Sequence, residues 1–164
     1  MPRENGSQTP AAWADAVATV LKDHGDRPGA LMPVLHGIQD SLGYVPPDAV
    51  PEIAKRLNLS RAEVHGVISF YHDFREHPAG RATIKICRAE SCQAVGAEDL
   101  IAHLKQRLGI DFHETTPDGA ITLEPVYCLG NCALSPALLV GEEIHGRVTP
   151  ARFDALVNDL RKTR

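Results

Sequence analysis

At 164 residues the chain is long enough for one domain or two small ones, and a hydrophobic content of 43% permits a packed core without disulfides. A net charge of −4, with lysines and arginines dispersed, argues against nucleic acid or an anionic membrane as partner. No apolar run approaches the roughly 20 residues that span a bilayer, and the polar start Met1–Ser7 lacks the apolar centre of a secretion signal, so a soluble, cytoplasmic protein without direct membrane insertion is expected.

Residues 1–8 read as disordered. Thr9 and Pro10 then suit the N-cap and first position of a helix, with Trp13, Val17, Val20 and Leu21 on one face and Gly25 at its end. A second helix over 29–42 aligns Leu31, Val34, Leu35, Ile38 and Leu42, and Gly43 closes it. A third carries Val50, Ile53, Ala54 and Leu57, with Pro51 tolerated in its first turn. In the fourth, Ser60 and Glu63 have the spacing of a capping box, and Leu59 and Val64 that of a hydrophobic staple. Val64, Val67, Ile68 and Tyr71 continue its apolar stripe. Four short amphipathic helices predict a helical bundle over 9–78. His36, His65, His72 and His77 show no ligand spacing and read as surface or core-edge residues. Phe70, Tyr71 and Phe74 read as core in preference to a flavin platform.

Pro78-Ala79-Gly80 breaks the helical pattern and marks a domain boundary. From Ala82 to Ile86 the period changes to two, and the strand runs into Cys87. A helix over 97–108 buries Leu100, Ile101, Leu104 and Leu108, with Glu98 and Asp99 in its first turn and Gly109 closing it. Ile121 to Tyr127 forms a second strand that runs into Cys128; Pro125 restricts it to an edge or a bulge. The strand–helix–strand order predicts a parallel unit with Cys87 and Cys128 at the same, C-terminal edge. Ala137–Val140 and Glu143–Val148 read as a hairpin about Gly141-Glu142. Thr149 and Pro150 open a last helix with Phe153, Leu156, Val157 and Leu160 on its buried face. The fold class is α+β, a helical bundle followed by a βαββα domain over 79–164.

All four cysteines fall between Cys87 and Cys132 in two pairs, Cys87-x4-Cys92 and Cys128-Leu129-Gly130-Asn131-Cys132. Four thiols with none left over in a reducing compartment suit a metal better than disulfides. Zinc knuckles accept pairs of this spacing. Two well-separated pairs also suit a [2Fe–2S] rhomb, in which each iron takes two thiolates, and Ala89, Ala94, Val95, Gly96, Leu129, Gly130, Ala133 and Leu134 offer an apolar shell with free backbone amides. Redox-active thiols are the third reading. Spacing alone leaves all three open.

The two cysteine loops, together with Leu31–Asp40, Leu42–Pro46, Leu59–Val67 and Ser69–Phe74, resemble the thioredoxin-like [2Fe–2S] ferredoxin family over roughly residues 14 to 160. Its members include the small iron–sulfur subunit of respiratory NADH dehydrogenase and the gamma subunit of NAD-dependent formate dehydrogenase. Glu90–Ala97 resembles the formate dehydrogenase branch more than the quinone-reducing one. The resemblance implies a thioredoxin-like second domain, although thioredoxin's C-x-x-C is absent, so dithiol chemistry does not come with the fold. It further implies one [2Fe–2S] cluster on Cys87, Cys92, Cys128 and Cys132, each pair on its own iron.

No Ser–His–Asp order, phosphate-binding glycine loop or dinucleotide fingerprint is present, so no catalytic residue and no substrate site are expected in this chain. The resemblance implies an electron-transfer subunit of an NAD-dependent formate dehydrogenase, with NADH:quinone oxidoreductase or an NAD-linked hydrogenase as the alternative. FMN and NAD would then reside on a larger partner subunit, and a molybdenum or tungsten cofactor on a formate-oxidising one, with further iron–sulfur subunits between them. A zinc-stabilised interaction module and a thiol–disulfide enzyme are the readings from other classes. Arg88 directly follows Cys87 and Glu90 lies between Cys87 and Cys92, and the two are expected to pull a cluster's potential in opposite directions, unless both face solvent.

Overall fold

A computed structural model of the chain describes residues 10–162 and divides it into two compact units, one ending at Pro78 and the other beginning at Ala79. The segment 1–8 and the Thr9 cap lie outside the described residues.

The first unit holds α1 (Pro10–His24), α2 (Leu31–Leu42), α3 (Val50–Leu57) and α4 (Arg61–Phe70), with a 3₁₀ turn at Pro47–Ala49 before α3. The apolar positions that repeat at helical spacing meet in one core, where Val17, Val34, Leu35, Ile38, Ile53 and Val64 are fully buried. Gly43 ends α2 with φ at 82°, a conformation that costs a side chain and suits glycine, and its N–H donates to the Gln39 carbonyl at 2.7 Å. Asn58 closes α3 in the same left-handed region.

At α4 the capping box is complete. The Glu63 N–H donates to Ser60 Oγ at 3.2 Å, and the Ser60 N–H donates to Glu63 Oε2 at 2.8 Å. Leu59 and Val64 belong to the same apolar cluster, as the staple requires. The Ser60 backbone and hydroxyl hold the Glu63 carboxyl below its ordinary value of 4.5. Ser60→Ala should cost about 1 kcal/mol in urea unfolding near neutral pH. Because the Glu63 value is depressed in the folded state, its contribution is present above 4.5 and is lost as pH falls through the lower folded value. The gap between wild type and variant should therefore narrow in acid; a gap that widens there would show that the box is not its source.

The end of α4 departs from expectation. Tyr71 leaves helical geometry, so the stripe stops at Ile68, and Phe70 and Tyr71 are 72% and 46% exposed. Of the three aromatics read as core, only Phe74 is buried, its ring centroid 4.9 Å from that of His36. Gln39 explains the turn. Its side chain donates to the Asp73 carbonyl at 2.7 Å and accepts the Arg75 N–H at 2.8 Å, which folds the chain back and turns Phe74 inward. His65, His72 and His77 are exposed.

The second unit contains a five-stranded mixed sheet in the order β2-β3-β1-β4-β5: β1 Ala82–Cys87, β2 Glu114–Thr115, β3 Ile121–Val126, β4 Leu138–Val140 and β5 Glu143–His145. β1 and β3 are parallel, with Cys87 opposite Val126. β1–β4 and β4–β5 are antiparallel. α5 (Glu90–Ala94), α6 (Ala97–Leu108) and α7 (Pro150–Lys162) complete the unit. Alternation along the strands sends Ile84, Ile86, Ile121 and Leu123 to one face, where they join Leu104 of α6 and Phe153 and Val157 of α7 in a single core.

Two expectations are corrected here. Pro125 does not place β3 at an edge, because β3 lies between β2 and β1. The missing N–H is tolerated since the two-residue β2 pairs only with Thr122 and Leu123, and Pro125 lies beyond it. Gly80 is not merely a turn residue. A Cβ there would come within 2.9 Å of the Ile121 nitrogen and 3.0 Å of the Ala120 carbonyl carbon, so the chain enters this unit where only glycine fits against backbone. Its N–H donates to Thr122 Oγ1 at 2.7 Å. Among the described residues, no helix is long and apolar enough to cross a membrane.

Candidate metal centre

Cys87 is the last residue of β1 and is held on both sides. Its N–H donates to the Ala137 carbonyl at 3.0 Å, and the Arg88 N–H donates to the Val126 carbonyl at 2.8 Å. Cys92 does not lie in a simple loop as expected: the five residues Glu90–Ala94 form α5, a single turn too short to show a period in the sequence. The Cys92 and Gln93 N–H groups both donate to the Ala89 carbonyl, at 2.9 and 3.0 Å. Cys87 and Cys92 are each only 2% exposed and pack with buried Ala97, bordered by Ala89, Val126 and Leu129.

The second pair is different. Cys128 and Cys132 are exposed, with their sulfurs 3.9 Å apart. Cys128 follows the end of β3 with φ at 135°, outside the range L-residues favour, and Gly130 at 73° completes the reversal. This backbone points the Gly130 N–H at Cys128 Sγ, 3.3 Å away. None of the four cysteines is in a disulfide.

The two loops meet. Ser91 Oγ donates to the Cys132 carbonyl at 3.2 Å and lies 3.0 Å from Ser135 Oγ. Ser135 Oγ also donates to that carbonyl, at 2.9 Å, and accepts from the Cys92 thiol at 3.4 Å. The Leu129 N–H of the second loop is aimed at Cys87. Behind the second loop, the Arg147 N–H donates to the Leu134 carbonyl at 2.6 Å. Ser91, Ser135 and Arg147 carry no signal in the sequence, where a serine beside a cysteine has neither period nor spacing to mark it.

Titration behaviour follows from these contacts. Burial pushes the Cys87 thiol up, opposed by the Ala89 N–H and reinforced by the neighbouring Cys92. Burial also acts to raise Cys92, but the Ser135 hydroxyl, the Cys87 thiol and the Ala137 N–H outweigh it, and the net shift is downward. Hydrogen bonding and charge from Cys128 raise Cys132.

Arg88 and Glu90 are not a simple opposed pair. Arg88 Nη2 lies 3.2 Å from Glu98 Oε1, and its guanidinium sits 5.4 Å from the Phe112 ring centroid, while Glu90 is exposed. The counter-charge to Arg88 thus comes from the first turn of α6.

Two cysteine pairs at one end of parallel strands, with a backbone amide directed at sulfur, form a candidate thiolate site on a thioredoxin-like fold. The chain belongs to the thioredoxin-like [2Fe-2S] ferredoxin family, whose pattern matches residues 17–161. It is 41% identical to an NADH-quinone oxidoreductase subunit of Rhizobium meliloti over 136 residues, 83% of this chain and 81% of that one. It is 36% identical to the HndA subunit of the NADP-reducing hydrogenase of Solidesulfovibrio fructosivorans over 141 residues, 86% of this chain and 82% of that one. Among solved structures it resembles an NAD+-reducing [NiFe]-hydrogenase in the H2-reduced state, with a TM-score of 0.66 and 25% identity over 82% of this chain; the match spans 22% of that longer chain.

Proposed function

We propose that this chain is the [2Fe–2S] electron-transfer subunit of a multi-subunit, cytoplasmic NAD-linked oxidoreductase, with Cys87, Cys92, Cys128 and Cys132 as ligands and each pair on its own iron. The observation that carries this reading is the convergence of a buried and an exposed cysteine pair at the C-terminal ends of β1 and β3. Family membership supplies the cluster type.

When bound, the cluster supplies one-electron exchange, so a flavin on a partner subunit must divide the electron pair of NADH. The chain's own residues divide the remaining work. The ends of β1 and β3 fix the spacing of Cys87 and Cys128, and Ala89, Ala97, Val126 and Leu129 keep water from the buried pair. Cys128 and Cys132 present the other side to a docked partner.

The names of the relatives favour NADH:quinone oxidoreductase or an NAD(P)-linked hydrogenase as the parent complex. The formate dehydrogenase reading, with molybdenum or tungsten on a further subunit, rests on Glu90–Ala97 alone. Tagged protein purified from its native cells should bring down a flavin-bearing subunit, and the NADH-linked activity of that eluate (quinone, hydrogen or formate) identifies the complex. An eluate with iron–sulfur absorbance but none of the three activities would overturn the assignment to such a complex.

Arg88 directly follows Cys87 in the chain, and a cluster held there would gain one unit of negative charge on reduction. Arg88→Glu replaces attraction by repulsion and frees Glu98 of its partner, so both changes disfavour the reduced form. A potential lower by tens of millivolts is expected by redox titration with EPR, where about 59 mV is tenfold for one electron. A docked partner that excludes water should enlarge the shift. An unchanged or raised potential would show that Arg88 does not act on the centre.

A further inference from the structure

The tie between the two cysteine loops has a chemical consequence beyond holding them together. Ser135 Oγ lies 3.4 Å from Cys92 Sγ, 3.0 Å from Ser91 Oγ and 2.9 Å from the Cys132 carbonyl oxygen. With Cys92 as a thiol, the sulfur donates to Ser135 and the Ser135 hydroxyl donates to the carbonyl. A ligating Cys92 has no proton to donate. The hydroxyl proton of serine rotates freely about its bond, and the Cys132 carbonyl keeps a donor in Ser91, 3.2 Å away. Ser135 is thereby released to turn its O–H toward the Cys92 sulfur without leaving any polar group unpaired.

We propose that Ser135 is a potential-setting residue of this chain, donating its hydroxyl proton to the Cys92 sulfur while Ser91 holds the Cys132 carbonyl in its place. The proposal rests on the ligand assignment above. A donor to a ligand sulfur stabilises the state with more charge on sulfur, so it favours the reduced centre. Ser135 is one donor among several, since the Ala137 N–H also reaches Cys92. It is the one that a side-chain substitution can remove. Its backbone, at φ −64° and ψ 150°, is open to any residue.

The test is redox titration of the full chain, read by EPR, with iron and sulfide analysis of every variant. Ser135→Ala should keep its iron and sulfide but require a lower ambient potential, about a tenfold loss in the reduced-to-oxidised ratio at fixed poise, or about 59 mV. Ser135→Thr, which restores a hydroxyl, should return to within about threefold of wild type, about 30 mV by the same conversion. Ser91→Ala leaves the Cys132 carbonyl to compete for the Ser135 proton, and should shift the ratio in the same direction as Ser135→Ala but by a smaller factor. An intact centre with unchanged potential in Ser135→Ala would overturn the inference, as would a Ser91→Ala shift that persists undiminished in the Ser91→Ala, Ser135→Ala double variant, which would assign the effect to loop geometry. Loss of iron in Ser135→Ala with retention in Ser135→Thr would overturn tuning in favour of a structural role. A wild-type chain that takes up no iron and sulfide would overturn the ligand assignment itself, an outcome distinct from all of these.

Discussion

Purified without oxygen, the chain is expected to be brown and to hold about two irons and two labile sulfides, bleaching on reduction with a single-electron EPR signal. Serine substitution should then separate the two cysteine pairs. Cys87 and Cys92 are each 2% exposed, in a pocket closed by Ala97, Val126 and Leu129. Cys87→Ser and Cys92→Ser exchange a soft thiolate for a hydroxyl where neither water nor backbone movement can compensate, so most of the iron should be lost. Cys128 and Cys132 are exposed, in a loop whose reversal is carried by Cys128 and Gly130 backbone. Cys132→Ser should retain iron, with a shifted spectrum and faster loss of the centre in air. Iron and sulfide analysis beside the visible spectrum checks both statements. Stoichiometric zinc in a colourless protein would sink the proposed function, and a wild-type spectrum in Cys128→Ser would remove that residue from the site.

The second large effect concerns division of labour. Each unit has a core of its own: Val17 through Phe74 in one, Ile84 through Val157 in the other, and all four cysteines belong to the second. We expect residues 79–164 to fold alone, to unfold cooperatively and to take up iron and sulfide like the full chain. The helical unit, with Phe70 and Tyr71 exposed at the end of α4, is then left as the element that docks on the larger subunit. Removing it should weaken binding to that subunit at least about tenfold, some 1.4 kcal/mol, with little change in the spectrum. Binding of the truncated and full chains, measured side by side, decides the matter. Equal affinities would show that docking lies in the cluster-bearing unit.

Local chemistry made much of this readable in advance. The Ser60–Glu63 box, the Gly43 and Gly109 closures and the change of period at Ala82 depend on residues within a few positions of one another, so their geometry follows from short stretches of chain. The cysteine pairs were legible for the same reason: four residues between Cys87 and Cys92 and three between Cys128 and Cys132 limit each pair to one site. Their meeting followed from one further step, the parallel pairing that puts both strand ends at one edge.

What stayed hidden depended on contacts across long separations or on elements too short for a period. α5 has five residues and β2 two, fewer than a helical or strand pattern needs to declare itself. Gln39 reaches Asp73 and Arg75 from another helix, and only that bracket buries Phe74 while leaving Phe70 and Tyr71 in solvent. Arg88 finds its counter-ion ten positions on, at Glu98, and Ser91 finds Ser135 across the whole βα crossover. Where the helices and main strands form, and which four sulfurs are at hand, was therefore settled by neighbours along the chain. Which pair is buried, which charge is already matched and which hydroxyl faces the Cys92 sulfur came only with tertiary structure, since each depends on a partner brought near when the sheet and its helices close.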